Sequence, residues 1–242
     1  MNYADFSWNP ADTEINLSII LVTVGFLVWF FVSKSEKLYE RLITRMGEQK
    51  AMIWRIYIQR YLGVLMFGII PAIVLFTFTD ATWADYGVAA IFPMETFWWI
   101  LGLSPLLAYL TSISTKKPIS LARYPEIRIK EWDRPLLYKS LLGWALYLIA
   151  YEWMFRGFFL YACARAFGIW PAILINACVY ALVHVPKGQT EAVGAIPLGI
   201  LLCIITFRTE TIIVAVVVHI VMSWANELYS LKYHPEIGLK RK

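Results

Sequence analysis

The 242-residue chain is 60% hydrophobic and carries a formal net charge of +5, with a mean hydropathy of +0.60. Soluble domains are roughly 45–50% apolar, so this composition excludes an ordinary soluble domain. No aromatic-basic surface module is visible, which argues against nucleic acid as a partner. Three cysteines, Cys163, Cys178 and Cys203, all fall in apolar segments. An odd number with none in an exposed loop excludes a disulfide framework or a cysteine metal cluster, and they read as small buried hydrophobes.

The first apolar run, Ile15–Val32, follows Asp5, Asp12 and Glu14 and no Lys or Arg. A signal peptide has a basic start, so this segment reads as a retained span. The amphipathic stretch Glu36–Gln49 predicts a helical extension beyond it. Further runs of spanning length lie at Tyr61–Thr79, Phe97–Ile113, Leu137–Ala164, Ile169–Val185, Val193–Phe207 and Thr211–Tyr229. The fourth span is long enough to tilt or kink, and the sixth is short and carries Pro197. Pro118, Pro125 and Pro135 break up the loop before the fourth span. The expected fold is all-α, a polytopic membrane bundle of seven or eight helices. Residues 1–136 hold the N-terminal helices and basic loops, 137–229 a core with a polar site, and 230–242 a basic tail.

Eighteen of the 22 basic residues fall within residues 34–60, 116–139 and 232–242. The positive-inside rule then places the N-terminus outside and the C-terminus in the cytoplasm, which seven spans satisfy. The expected location is an integral position in the plasma or inner membrane, with anionic headgroups as partners of the basic loops.

The polar residues inside the spans are the chemical signal. An ionised side chain at the bilayer centre costs roughly 2.5–3.5 kcal/mol on insertion scales, yet Glu152 and Arg156 sit four apart within Tyr151-Glu-Trp-Met-Phe-Arg156-Gly157. That spacing puts them on one helix face. They form either a self-neutralising pair that lets the helix insert or part of a site. His184 closes the fifth span, where a histidine serves as an interfacial group or a cap as readily as a catalyst. His219 lies well inside the seventh, with Ser223 and Asn226 on the same face. This stripe is either interhelical glue or a row of donors facing a cavity. Between the spans, Thr190 is placed to cap the sixth helix with Glu191 in its first turn, or else Glu191 points back toward His184. A carboxylate beside a neutral imidazole can deprotonate water. A second His with Ser or Asn can stabilise an oxyanion. The inventory suits amide hydrolysis and needs no cofactor. A zinc site built from Glu152, His184 and His219 is a weaker alternative, because no HExxH is present.

These residues resemble the CPBP family (CAAX proteases and bacteriocin-processing, or Abi, proteins) in the order of its motifs EExxxR, FxxxH and HxxxN/D. The resemblance covers about residues 137–229. It implies a polytopic intramembrane protease acting on a membrane-associated protein or peptide. It assigns Glu152, Arg156, His184 and His219 to the active centre, with the glutamate and His184 in water activation and His219 in the oxyanion hole. Three positions depart from the pattern: Tyr151 replaces the first glutamate, Ser223 stands where Asn or Asp is usual, and Tyr180 stands for the Phe of the second motif. An inactive relative that binds membrane partners is the first rival reading. A small-solute transporter is the second, and the absence of an inverted repeat argues against it.

Overall fold

A bilayer core offers no hydrogen-bond partners, so an apolar chain crosses it with every peptide group paired internally, and helices meet that requirement. The computed structural model describes residues 9–89 and 93–240. Among them, the order is α1 (Thr13–Ser33), α2 (Glu36–Met46), α3 (Glu48–Gly63), a π-helical stretch (Val64–Ile69) and α4 (Ile70–Phe78). Then come α5 (Met94–Ser114), α6 (Pro118–Leu121), β1 (Glu131–Trp132), α7 (Arg134–Glu152), a second π-helical stretch (Trp153–Phe159) and α8 (Leu160–Phe167). The chain closes with α9 (Ile169–His184), α10 (Gln189–Thr209), α11 (Ile213–Tyr233) and β2 (Gly238–Leu239). Asp5, Arg241 and Lys242 lie outside the described residues.

Among the described residues six helices are long and apolar enough to cross a membrane, and they correspond to six of the seven predicted spans. The chain is an all-α integral membrane protein. The remaining predicted span, Leu137–Ala164, falls in the rod formed by α7, the second π-helical stretch and α8, and does not meet that apolarity. The reason is its position. Every residue from Ala150 to Leu160 is buried, so this part of the rod touches protein rather than lipid and can carry charge. The outer helices instead expose apolar side chains such as Phe31, Ile73, Leu101 and Leu182, the lipid-facing belt such a bundle needs.

Local sequence explains the boundaries. Ser35 caps α2 by accepting from Leu38 N, and Asp133 caps α7 by accepting from Leu136 N at 2.8 Å, with Pro135 in the first turn of α7. The predicted extension Glu36–Gln49 is two helices, because Gly47 at φ +81° breaks it and α3 then runs on into the second span. The α10 helix begins at Gln189 with Gly188 as its cap residue. Thr190 is therefore already helical and is not the cap that the sequence predicts. Cys163 and Cys203 are buried, but Cys178 is exposed on α9, correcting its reading as a buried hydrophobe.

The bundle packs α9 along α10, α5 along α11, α3 and α11 against α7, and α1 against α3, α4 and the first π-helical stretch. One β bridge, Glu131 with Gly238 and Trp132 with Leu239 in parallel, ties the segment after α11 to the start of α7. Ile127, Ile129, Trp132 and Ile237 bury around it in a small second core.

Arg60 corrects the charge map. It was counted with the loop residues, yet it is 1% exposed. Its Nη1 donates to Ser140 O and Ser140 Oγ, both at 2.8 Å, and its Nη2 to Glu126 at 3.1 Å. Ser140 Oγ in turn donates to Glu227, and Arg60 stacks 4.2 Å over the ring of Trp144. This network clamps α3, α7, α11 and the segment after α6 at one end of the bundle.

Candidate active site

The second π-helical stretch places the central charges. A π turn widens the helix locally and often marks a functional site. Here Gly157, with ψ −114°, departs from helical geometry. The disturbance leaves Phe155 O to accept from Asn176 Nδ2 on α9 at 2.6 Å. Asn176 Oδ1 then accepts from Cys203 Sγ on α10 at 3.3 Å. Sequence reasoning passed over Asn176, although an Asn in an otherwise apolar span was a usable signal.

Glu152 and Arg156 are both fully buried, with Arg156 Nη1 3.2 Å from Glu152 Oε2. The guanidinium nitrogens make no hydrogen bond of good geometry. What balances this charge is the carboxylate and the ring of Tyr180, 4.0 Å from Cζ. Gly199 permits that stacking, since a Cβ there would come within 3.2 Å of Tyr180. The pair is more than self-neutralising, because the other oxygen, Glu152 Oε1, lies 2.5 Å from Nδ1 of His219.

A cavity of about 460 Å³ opens beside this pair at the end of the bundle that carries Lys117, Arg123 and Lys187. His184, Glu191, His219, Ser223 and Asn226 line it. Of the seven residues predicted from sequence, five face this one space. Glu152 and Arg156 lie behind its wall, outside the lining, with Glu152 joined to it through His219. At His184, Nδ1 lies 2.7 Å from Tyr180 O, which makes Nδ1–H the donor and leaves Nε2 as the free nitrogen. At His219 the carboxylate fixes Nδ1 in the same way. Both histidines therefore have their Nδ1 occupied and their Nε2 free.

Tyr151 stands between them. Its ring lies 6.3 Å from that of His184 and 5.8 Å from that of His219, edge-on to both. It lines the cavity, so the position of the family's usual first glutamate does face the site, but as a neutral phenol. Glu191, 30% exposed, sits 3.7 Å from Arg123. Thr115 Oγ1 donates to Asn226 Oδ1 at 2.9 Å, tying Asn226 to the end of α5. At the mouth, burial first and then Glu191 and Glu126 push the phenol of Tyr124 well above its ordinary pKa, so it stays a neutral hydroxyl. Among the described residues no three His, Cys, Asp or Glu side chains gather as a metal-ligand set. Trp29, Trp144 and Tyr147, which form an aromatic wall, carry no sequence signal that separates them from core.

Residues 133–225 match the family model described as Type II CAAX prenyl endopeptidase Rce1-like. This segment is Rce1-like. The match bears out the CPBP resemblance over these residues, since that family belongs to the CPBP group, and it supports a CPBP-type membrane protease at the level of the family. The Rce1-like segment begins at the Asp133 cap and takes in the central rod, α9, α10 and most of α11. No curated protein and no solved structure matches the chain.

Proposed function

We propose that the chain is an intramembrane endopeptidase that hydrolyses a peptide bond of a membrane-associated protein with a water activated by His and Glu. The observation that carries this reading is the pair of histidines, both lining one cavity and both held at Nδ1. With its lone pair free, His184 Nε2 orients the water and takes its proton as it attacks the carbonyl carbon. Glu191, on the same cavity wall, receives or holds that proton. His219, backed by Glu152 as a histidine is backed by a carboxylate in hydrolytic triads and carrying hydrogen on both ring nitrogens, donates from Nε2 to the developing oxyanion, while the proton taken from water passes to the leaving amine. Ser223 is available as a further oxyanion donor, and Asn226, tied to Thr115, keeps α11 in register with α5. Arg156 holds the Glu152 carboxylate in place. These steps need no metal or other cofactor. The cavity opens to the cytoplasmic side, with the N-terminus outside and the C-terminus inside, and the basic loops rest on anionic headgroups.

The test is cleavage of a peptide library by the purified chain reconstituted in liposomes. Cut products from wild type and none from His184→Ala support the reading. Equal products from both refute it. The second reading, a binding protein descended from proteases, is favoured by one observation, the neutral Tyr151 between the histidines. It predicts binding without new termini.

A further inference from the structure

The charges that line the cavity are unbalanced. Lys117, Arg123 and Lys187 line it together with Glu191, the one carboxylate residue among the lining side chains described. Glu191 offsets one of the three cations. The surplus lies in a concave site with aromatic and aliphatic walls, where field lines are focused and an anion is attracted more strongly than on a flat surface.

Arg123 is held at the rim. An Arg123 nitrogen donates to Lys187 O, and the guanidinium lies over Gly188. That glycine has φ +97°, and a Cβ on it would strike Arg123. Glycine thus serves both the turn into α10 and the seat of the arginine. The positive-inside rule accounts for cations in this part of the chain, but not for their convergence on one cavity. Lys116, the neighbour of Lys117, shows the contrast: it lies 5.1 Å over the ring of Tyr233 and does not line the cavity.

We propose that Lys117, Arg123 and Lys187 form a subsite for a carboxylate of the substrate, either its C-terminal carboxylate or an acidic side chain. The subsite sets which peptide bond reaches His184 and His219. This inference rests on the endopeptidase reading and deepens it. Arg123 is paired with Glu191 at 3.7 Å and adds its charge to the rim, so Lys117 and Lys187 supply the contacts that a substrate carboxylate takes. A lipid headgroup seated at the same rim would block the way to the histidines, so the occupant is the substrate itself.

The experiment uses the full chain in phosphatidylcholine nanodiscs and a fluorescent set of random-sequence peptides, each made as the free acid and as the C-terminal amide. Binding is read by anisotropy and cleavage by mass spectrometry on the same samples. The free acids are expected to bind about tenfold more tightly than the amides, the equivalent of one charge-assisted hydrogen bond. The double substitution Lys117→Gln/Lys187→Gln, which leaves the Arg123–Glu191 pair in place, is expected to erase that difference. Amides that bind like acids only when they carry Glu or Asp assign the subsite to an acidic side chain; otherwise it takes the chain terminus. Equal binding of acids and amides by wild type overturns the subsite, whether or not the peptides are cut. So does an acid preference that survives the double substitution. An acid preference that the double substitution removes, with no peptide cut, keeps the subsite and removes the endopeptidase reading. Phosphatidylserine nanodiscs that abolish the preference seen in phosphatidylcholine show a headgroup holding the rim and overturn the assignment to substrate.

Discussion

Glu152 joins two partners through its two oxygens: Oε1 lies 2.5 Å from His219 Nδ1 and Oε2 lies 3.2 Å from Arg156 Nη1. One carboxylate thereby links the Rce1-like motif on the central rod to the histidine of α11. It orients the ring that faces the cavity while its own charge stays behind the wall. In the proposed mechanism Glu152 therefore acts through His219 and does not itself touch the water.

Glu152→Gln is expected to lower cleavage per folded molecule by at least about 100-fold, because the amide no longer holds the His219 tautomer or supports its charged form. Folded yield falls as well, since removing one member of a buried pair costs about 3–5 kcal/mol. Glu152→Gln/Arg156→Met removes both charges and should recover yield without recovering activity. Full activity per folded molecule in Glu152→Gln would show that the carboxylate only neutralises Arg156.

Glu191 is the carboxylate on the cavity wall near the mouth. Glu191→Gln is expected to abolish cleavage as fully as His184→Ala, with folded yield near that of wild type, because its partner Arg123 is 40% exposed and can be solvated. Rates measured over a range of peptide concentrations decide this. An unchanged rate in Glu191→Gln would return proton handling to His184 alone.

Arg60→Met strands Glu126 and Glu227 at the end of the bundle. Thermal unfolding in detergent should register a loss of about 3–5 kcal/mol. Arg55→Met removes an exposed pair with Glu36 at 2.8 Å and should cost under about 1 kcal/mol. Equal losses would mean that the buried network is not what holds α3, α7 and α11 together.

Topology is open to a direct check. A reporter fused after Lys242 should read as cytoplasmic and one inserted near Asp85 as external. The remaining charges fit this orientation. Arg165 and Arg208, two of the four basic residues outside the three basic segments, are occupied by Glu14 and Glu95, so they add little unpaired charge at the opposite end. An external C-terminal reporter would overturn the orientation.

Much of this was legible in the chain because long apolar runs and isolated charges are local signals. Ile15–Val32 falls within α1 and Thr211–Tyr229 overlaps α11 from Ile213 onward, and Glu152, His184 and His219 stood out against apolar surroundings. What escaped depends on three dimensions. Arg60 looked like a loop charge because it stands at the border of an apolar run, while Ser140, Glu126 and Glu227, its partners, are far away in sequence. The wall of Trp29, Trp144 and Tyr147 could not be told from core. The pairing of Glu152 with His219 bridges 67 positions, and no spacing rule within one helix reports it. The cap of α10 was misplaced at Thr190 because a glycine with positive φ, Gly188, starts that helix two residues earlier.

The central claim, that His184 and His219 hydrolyse a peptide bond from one cavity, is tested most directly by mapping new protein N-termini in cells that co-express a membrane-protein library with wild type, His184→Ala or His219→Ala at matched folded levels. The account predicts a defined set of termini in wild type that disappears in both variants. Identical termini in all three would contradict it.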